Sequence, residues 1–136
     1  MTIKPYTHYN AHEILPLYEA VGWSNYYEHP EILSKAYAGS LCTLAAYEEG
    51  KLIGLIRAVR DGHSILFVQD ILVYPEFQRR GIGTALMQAL LQRYPHMYQI
   101  ELATDTSDKN IAFYKSLGFQ PLHEIGCCGF MKMGQF

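Results

Sequence analysis

The chain has 136 residues, of which 49% are hydrophobic and 18% charged, with 11 basic and 13 acidic side chains. That length predicts one domain spanning residues 1–136, and the composition excludes both a disordered chain and a coiled coil. A formal charge of −2 gives no global electrostatic basis for binding nucleic acid, which rests on many Lys and Arg contacts to phosphate.

Three cysteines, Cys42, Cys127 and Cys128, form no even framework and no C-x-x-C spacing. Neither a disulfide scaffold nor a zinc site is expected, and no metal is assigned. The segment Met1 to Tyr9 lacks the features of a signal peptide. No run reaches the ~18 apolar residues of a membrane span. A reduced, cytoplasmic location without membrane partners is the expectation.

In chain order, Thr2 to Tyr6 reads as a short strand. Ala11 to Val21 carries Ile14, Leu15, Leu17, Tyr18 and Val21 at helical spacing and ends at Gly22. Pro30 opens a second short helix to about Tyr37. Leu41 to Tyr47 and Lys51 to Arg60 read as strands, the second with Leu52, Gly54, Ile56 and Ala58 on one face. Asp61-Gly62 is a hairpin turn signal leading into a strand from Ser64 to Val73. Gly81 or Ile82 to Tyr94 is the clearest helix, stopped by Pro95. Tyr98 to Ala103 is a strand, and Asn110 to Leu117 a helix closed by Gly118. Phe119 to Glu124 and Cys127 to Met133 read as two final strands. A β-α-β crossover makes the strands Ser64–Val73 and Tyr98–Ala103 parallel. The expected fold class is α+β: a mixed, mostly antiparallel sheet of six or seven strands with one parallel pair, flanked by about four helices.

The segment Gln78-Arg79-Arg80-Gly81-Ile82-Gly83-Thr84 lies between a strand and a helix N-terminus. Two glycines permit a tight turn and close backbone approach to a ligand. The first amides of a helix point outward without internal partners and, with the helix dipole, form an anion site suited to pyrophosphate. Arg79 and Arg80 add charge there. The residues alone leave a purely structural turn equally open. A Walker loop is excluded because its lysine is missing, and a dinucleotide fingerprint is disfavoured because Leu86 occupies its third glycine position.

Gln78-x-x-Gly81-x-Gly83, following Asp70-Ile71-Leu72-Val73, resembles motif A of the GNAT superfamily of acyl-CoA-dependent N-acyltransferases. Asn110-Ile111-Ala112-Phe113-Tyr114-Lys115-Ser116-Leu117-Gly118-Phe119 resembles its motif B helix. The resemblance covers roughly residues 41 to 133. It implies acetyl-CoA as cofactor, with the amides from Arg79 to Thr84 (Arg79, Arg80, Gly81, Ile82, Gly83, Thr84) on the pyrophosphate, together with Gln78. Ile71, Leu72 and Val73 would pair with the pantetheine arm, in an opening where the parallel strands splay. Tyr114 would protonate the leaving thiolate. Asn110 stands where the family often has Ala, and Ser107 where it often has Asn, so either could contact the cofactor.

The acceptor amine must lose a proton. Asp70 is the candidate base, ahead of His63 and His123, while Phe67 occupies the position where some family members carry a glutamate. The family's N-terminal helical pair walls the acceptor, which here implicates Trp23, Tyr26, Tyr27 and Glu28, with rings able to hold a cation. The implied activity is acetyl transfer to a primary amine, a small molecule in preference to a peptide. A non-catalytic acyl-CoA sensor and a dinucleotide-dependent oxidoreductase are the rival readings. Late strands in the family often mediate dimers, so the resemblance implies a homodimer surface at Phe130 to Phe136.

Overall fold

Two helical connections, before β2 and before β5, flank an antiparallel meander. The computed structural model describes residues 1–136, and the first two strands, β1 (Thr2–Pro5) and β2 (Cys42–Glu48), pair antiparallel. Between them run α1 (Ala11–Ala20), the single turn α2 (Ser24–Tyr27) and α3 (Pro30–Ala38). Asn10 caps α1 by accepting the His12 N–H at 3.0 Å, and Pro30 opens α3 at the position where its missing N–H costs nothing. β3 (Lys51–Val59) and β4 (Ile65–Val73) complete an antiparallel meander. Asp61 fixes the β3–β4 turn: one carboxylate oxygen accepts the backbone N–H of His63, Ser64 and Ile65. These bonds, that of Ser64 foremost, hold its carboxyl well below the usual range. The helix α4 (Ile82–Arg93) then carries the chain to β5 (Gln99–Leu102), which lies parallel to β4. The order is β1-β2-β3-β4-β5.

The sheet has five strands, fewer than expected. The two final strands do not form. Pro121 leads instead into a 3-10 turn over Leu122–Ile125, closed by Gly126 at φ 80°, and the chain beyond joins no ladder. The chain forms two compact units, residues 1–102 and residues 103–136, and the second contains α5 (Asp108–Ser116) and that turn. No helix is long and apolar enough to cross a membrane.

Two bulges decide which side chains meet. β2 and β3 slip between Ala46 and Tyr47, leaving Ile53 unopposed. Leu52 therefore leaves the face shared by Gly54, Ile56 and Ala58, and it packs with Leu55 in the cluster of Ile14, Leu17, Tyr18, Leu33 and Tyr37. β3 and β4 slip between Arg57 and Ala58, which pair with Asp70 and Val68 and leave Gln69 unopposed. β4 thus alternates buried and half-buried along its whole length, yet its buried residues change faces at the bulge. Asp70 and Leu72 join the α1/α3 side, where Leu72 belongs to the cluster.

Gly54 marks a close approach in the sheet. A Cβ there would lie 2.8 Å from the Leu72 carbonyl oxygen and 3.5 Å from Leu86 Cδ1 of α4. Gly54→Ala is expected to lower unfolding free energy by ~1–3 kcal/mol, as overpacking does, read as a reduced midpoint in urea denaturation.

Candidate active site

Pairing of β4 with β5 stops at Val68–Leu102, whereas β4 runs on beside β3 to Val73. From Gln69 onward one edge of β4 is unpaired. The Leu72 carbonyl faces β3, where it approaches Gly54. Backbone groups alternate sides along a strand, so Ile71 and Val73 present theirs to the open edge. The Val73 carbonyl accepts the Gln78 side-chain amide at 3.0 Å. Gln78 therefore ties the end of the strand to the glycine turn.

That turn is built from left-handed residues. Arg79 sits at φ 64° and Gly81, the residue before α4, at φ 80°. Gly81 adopts this without strain. The first intrahelical bond runs from the Ala85 N–H to the Gly81 carbonyl at 3.0 Å, and no side chain caps the helix. The amides of Ile82, Gly83 and Thr84 thus have no intrahelical partner, at the positive end of a 12-residue helix. Arg80 stands beside them over the Phe77 ring at 5.2 Å and pairs with Glu48 at 3.5 Å. Lys51 lies over the same ring at 5.7 Å. These residues and Glu49 line an open depression at the foot of the turn.

Next to the bulge lies a buried polar network. Asp70 Oδ2 accepts from Arg57 Nε and from the Tyr18 hydroxyl, both at 2.6 Å. Tyr18 in turn contacts the Tyr37 hydroxyl at 3.0 Å, and Arg57 Nη1 donates to Ser40 Oγ at 3.0 Å. Asp70 Oδ1 is buried without a partner. Burial, then the Asp70 charge, pushes the Tyr18 phenol far above its ordinary range. Burial opposes the Arg57 charge, but Asp70 beside it prevails and holds the guanidinium protonated.

The unopposed Gln69 points its side-chain amide at α2: Nε2 donates to the Tyr26 hydroxyl at 3.2 Å. The Tyr26 ring packs 5.6 Å from Tyr18 and 6.2 Å from Trp23. Of the residues expected to wall the acceptor, Tyr26 therefore meets β4 at the bulge. Trp23 stands beside it at 37% exposure, Tyr27 packs on the α1/α3 core, and Glu28 is exposed at the end of α2.

In the second unit, Ser107 caps α5 by accepting the Asn110 N–H at 3.3 Å. Asp105 accepts the Ser107 N–H at 2.9 Å and the Asn110 side-chain amide at 3.0 Å. Tyr114, one turn after Asn110, is flanked by the rings of Phe113 at 5.0 Å and Phe119 at 6.2 Å. Burial and then the Asp105 charge raise its phenol pKa, which keeps the hydroxyl protonated through neutral pH.

Four residues of this arrangement carry no role in the sequence reading: Arg57, Tyr18, Tyr37 and Gln69. Arg57 had a usable signal. It and Asp70 are the opposite charges inside two apolar strands joined by one tight turn, a pattern that calls for a cross-strand pair. Gln69 had none, because a bulge leaves no mark on the alternation of its own strand.

Residues 8–119 match the Acetyltransferase (GNAT) family. Among solved structures, the chain is similar to the GNAT family protein SP0256 from Streptococcus pneumoniae TIGR4, with 40% identity and a TM-score of 0.89 over 99% of this chain and 98% of that one. An aminoglycoside 6'-N-acetyltransferase complexed with coenzyme A shares the fold at 16% identity and a TM-score of 0.68, over 87% of this chain and 74% of that one. Among curated proteins, peptidyl-lysine N-acetyltransferase YiaC of Escherichia coli (strain K12) is 34% identical over 99 residues, 71% of this chain and 60% of that protein. The chain spans 45–62% of the first curated relatives it matches.

Arg57→Met leaves the Asp70 carboxylate buried without its counter-charge. A loss of ~3–5 kcal/mol in unfolding free energy is expected, measured by denaturant titration, with a much smaller loss when Asp70→Leu is added in the same chain.

Proposed function

Since this chain belongs to the GNAT family of acetyltransferases, we propose that it moves an acetyl group from acetyl-CoA to a primary amine. The acceptor is a small molecule or a peptide amine, and attack is direct, in a ternary complex. The observation that carries this reading is one continuous run, Gln69 to Thr84, in which an open strand edge leads straight to three helix amides without intrahelical partners. That donor set fits a pyrophosphate, since each amide supplies one N–H and Arg79 and Arg80 supply charge.

When bound, acetyl-CoA supplies the activated acyl thioester. The chain's residues do the rest. The amides from Arg79 to Thr84 hold the two phosphates, and Gln78 keeps the turn in place by its bond to Val73. Ile71 and Val73 offer backbone groups to an extended pantetheine arm, with Leu72 anchored in the core between them. An N–H on this edge would also donate to the acyl oxygen, an interaction worth ~2.7–4 kcal/mol where measured. Trp23, Tyr26 and Tyr27 wall the acceptor, with Glu28 at the rim to attract its charge. Asp70, buried beside the bulge with its Oδ1 unpartnered, is the group we assign to the proton shed by the amine. Tyr114, held protonated, gives a proton to the departing thiolate, and Asn110 on the same helix face steadies the cofactor. The exposed Phe130, Met131, Met133 and Phe136 are the surface we assign to a homodimer. A cytoplasmic location completes the reading.

Calorimetric titration with acetyl-CoA, with NADH as control, tests the cofactor; release of free thiol with added amines tests the transfer. Binding without release in the presence of any amine would mark a sensor in place of an enzyme. Gly83→Asp sets a carboxylate against the phosphates and is expected to abolish acetyl-CoA binding; unchanged affinity would overturn the assignment of the glycine turn. Tyr114→Phe is expected to lower kcat by at least about tenfold while acetyl-CoA affinity stays within about twofold, as measured by initial rates beside calorimetry.

A further inference from the structure

Gln69 is the residue of β4 that β3 leaves unopposed, and it lies one position beyond the last pair with β5. It therefore stands at the apex of the opening between the two parallel strands. A half-buried glutamine there is held by a bond across to another element: Nε2 donates to the Tyr26 hydroxyl at 3.2 Å. With Nε2 engaged, the other polar atom of the carboxamide, Oε1, is an acceptor. The ring of Tyr26, which carries the hydroxyl that holds Gln69, lies 6.2 Å from the ring of Trp23.

We propose that Gln69 orients the acceptor amine, its Oε1 accepting one N–H of the nucleophile; this assignment rests on the acetyl-transfer reading above. The chemistry suits an uncharged group. A primary amine attacks through its nitrogen lone pair, so it must be neutral when it reacts. A carboxamide takes one N–H hydrogen bond and aims the lone pair without favouring the ammonium form. A carboxylate at the same place would favour that form and delay attack to higher pH. The bond to Tyr26 fixes the rotamer, so the acceptor meets an oxygen already in place. Gln69 is in these terms a specificity-determining residue, selecting acceptors that offer an N–H at the bulge.

Initial rates of thiol release, with spermidine, kanamycin and a lysine-containing peptide as amine probes, test the assignment. For whichever probe the wild type acetylates, Gln69→Leu is expected to raise the amine KM about tenfold or more while the KM for acetyl-CoA moves less than about twofold. Gln69→Glu keeps an acceptor oxygen and is expected to hold the amine KM within about threefold of wild type, while moving the rising limb of the kcat/KM profile to higher pH. An unmoved amine KM in Gln69→Leu, or equal rises in both KM values, would overturn the role of Gln69 alone. A wild type that binds acetyl-CoA but releases no thiol with any of the three probes would remove the transfer reading and this assignment with it.

Discussion

A single buried ion pair fixes the geometry on which the candidate site depends. Arg57 and Asp70 meet at 2.6 Å with side chains 3% and 0% exposed, immediately beside the bulge that frees Gln69. Such a pair adds little net stability over an apolar replacement of equal volume, because desolvating two charges offsets their attraction. Its effect is on place. A slip of β4 by one residue would carry Asp70 to the other face and strand Arg57 alone, so the pair excludes the unbulged register. Tyr18 from α1, Tyr37 from α3 and Ser40 just beyond it are tied into the same network, which binds the helical layer to the bulge.

The glycine turn then extends what the bulge begins. The bulge coincides with the end of the parallel pairing, and the glycine turn closes the strand at its other end. Between them the unpaired edge is only the stretch from Gln69 to Val73. Gln78 links the two by spending its amide on the Val73 carbonyl. The glutamine of the motif is thus a brace between the end of β4 and the glycine turn.

Much of this was legible in the chain because the signals are local. Proline at the start of α3, Asp61-Gly62 at the hairpin and the glycines before α4 each act within a few residues, and the elements they bound follow within one or two positions. The meander and the parallel crossover followed from element order. Features set by non-local pairing were hidden. Leu52 was placed with Gly54, Ile56 and Ala58 by simple alternation, and the unopposed Ile53 moves it to the opposite face. Two last strands were expected, yet Pro121 lacks an N–H and the 3-10 turn after it takes up residues of the first of them. Gln69 and Tyr26 are 43 residues apart, and nothing in either segment announces the other. In the glycine turn the residue types were readable but their partners were not: Arg80 is engaged by Glu48 and Phe77.

Trp23 is the sole tryptophan among eleven tyrosines, and it sits with its ring 6.2 Å from both Tyr18 and Tyr26. Excitation absorbed by those two phenols passes to one indole, partly open to water, at the corner where α2 reaches the bulge. The protein therefore carries its own optical reporter. Its emission follows the spacing and wetting of that corner, free of any second indole elsewhere in the chain. Movements at the mouth of the opening can be followed in the unlabelled molecule.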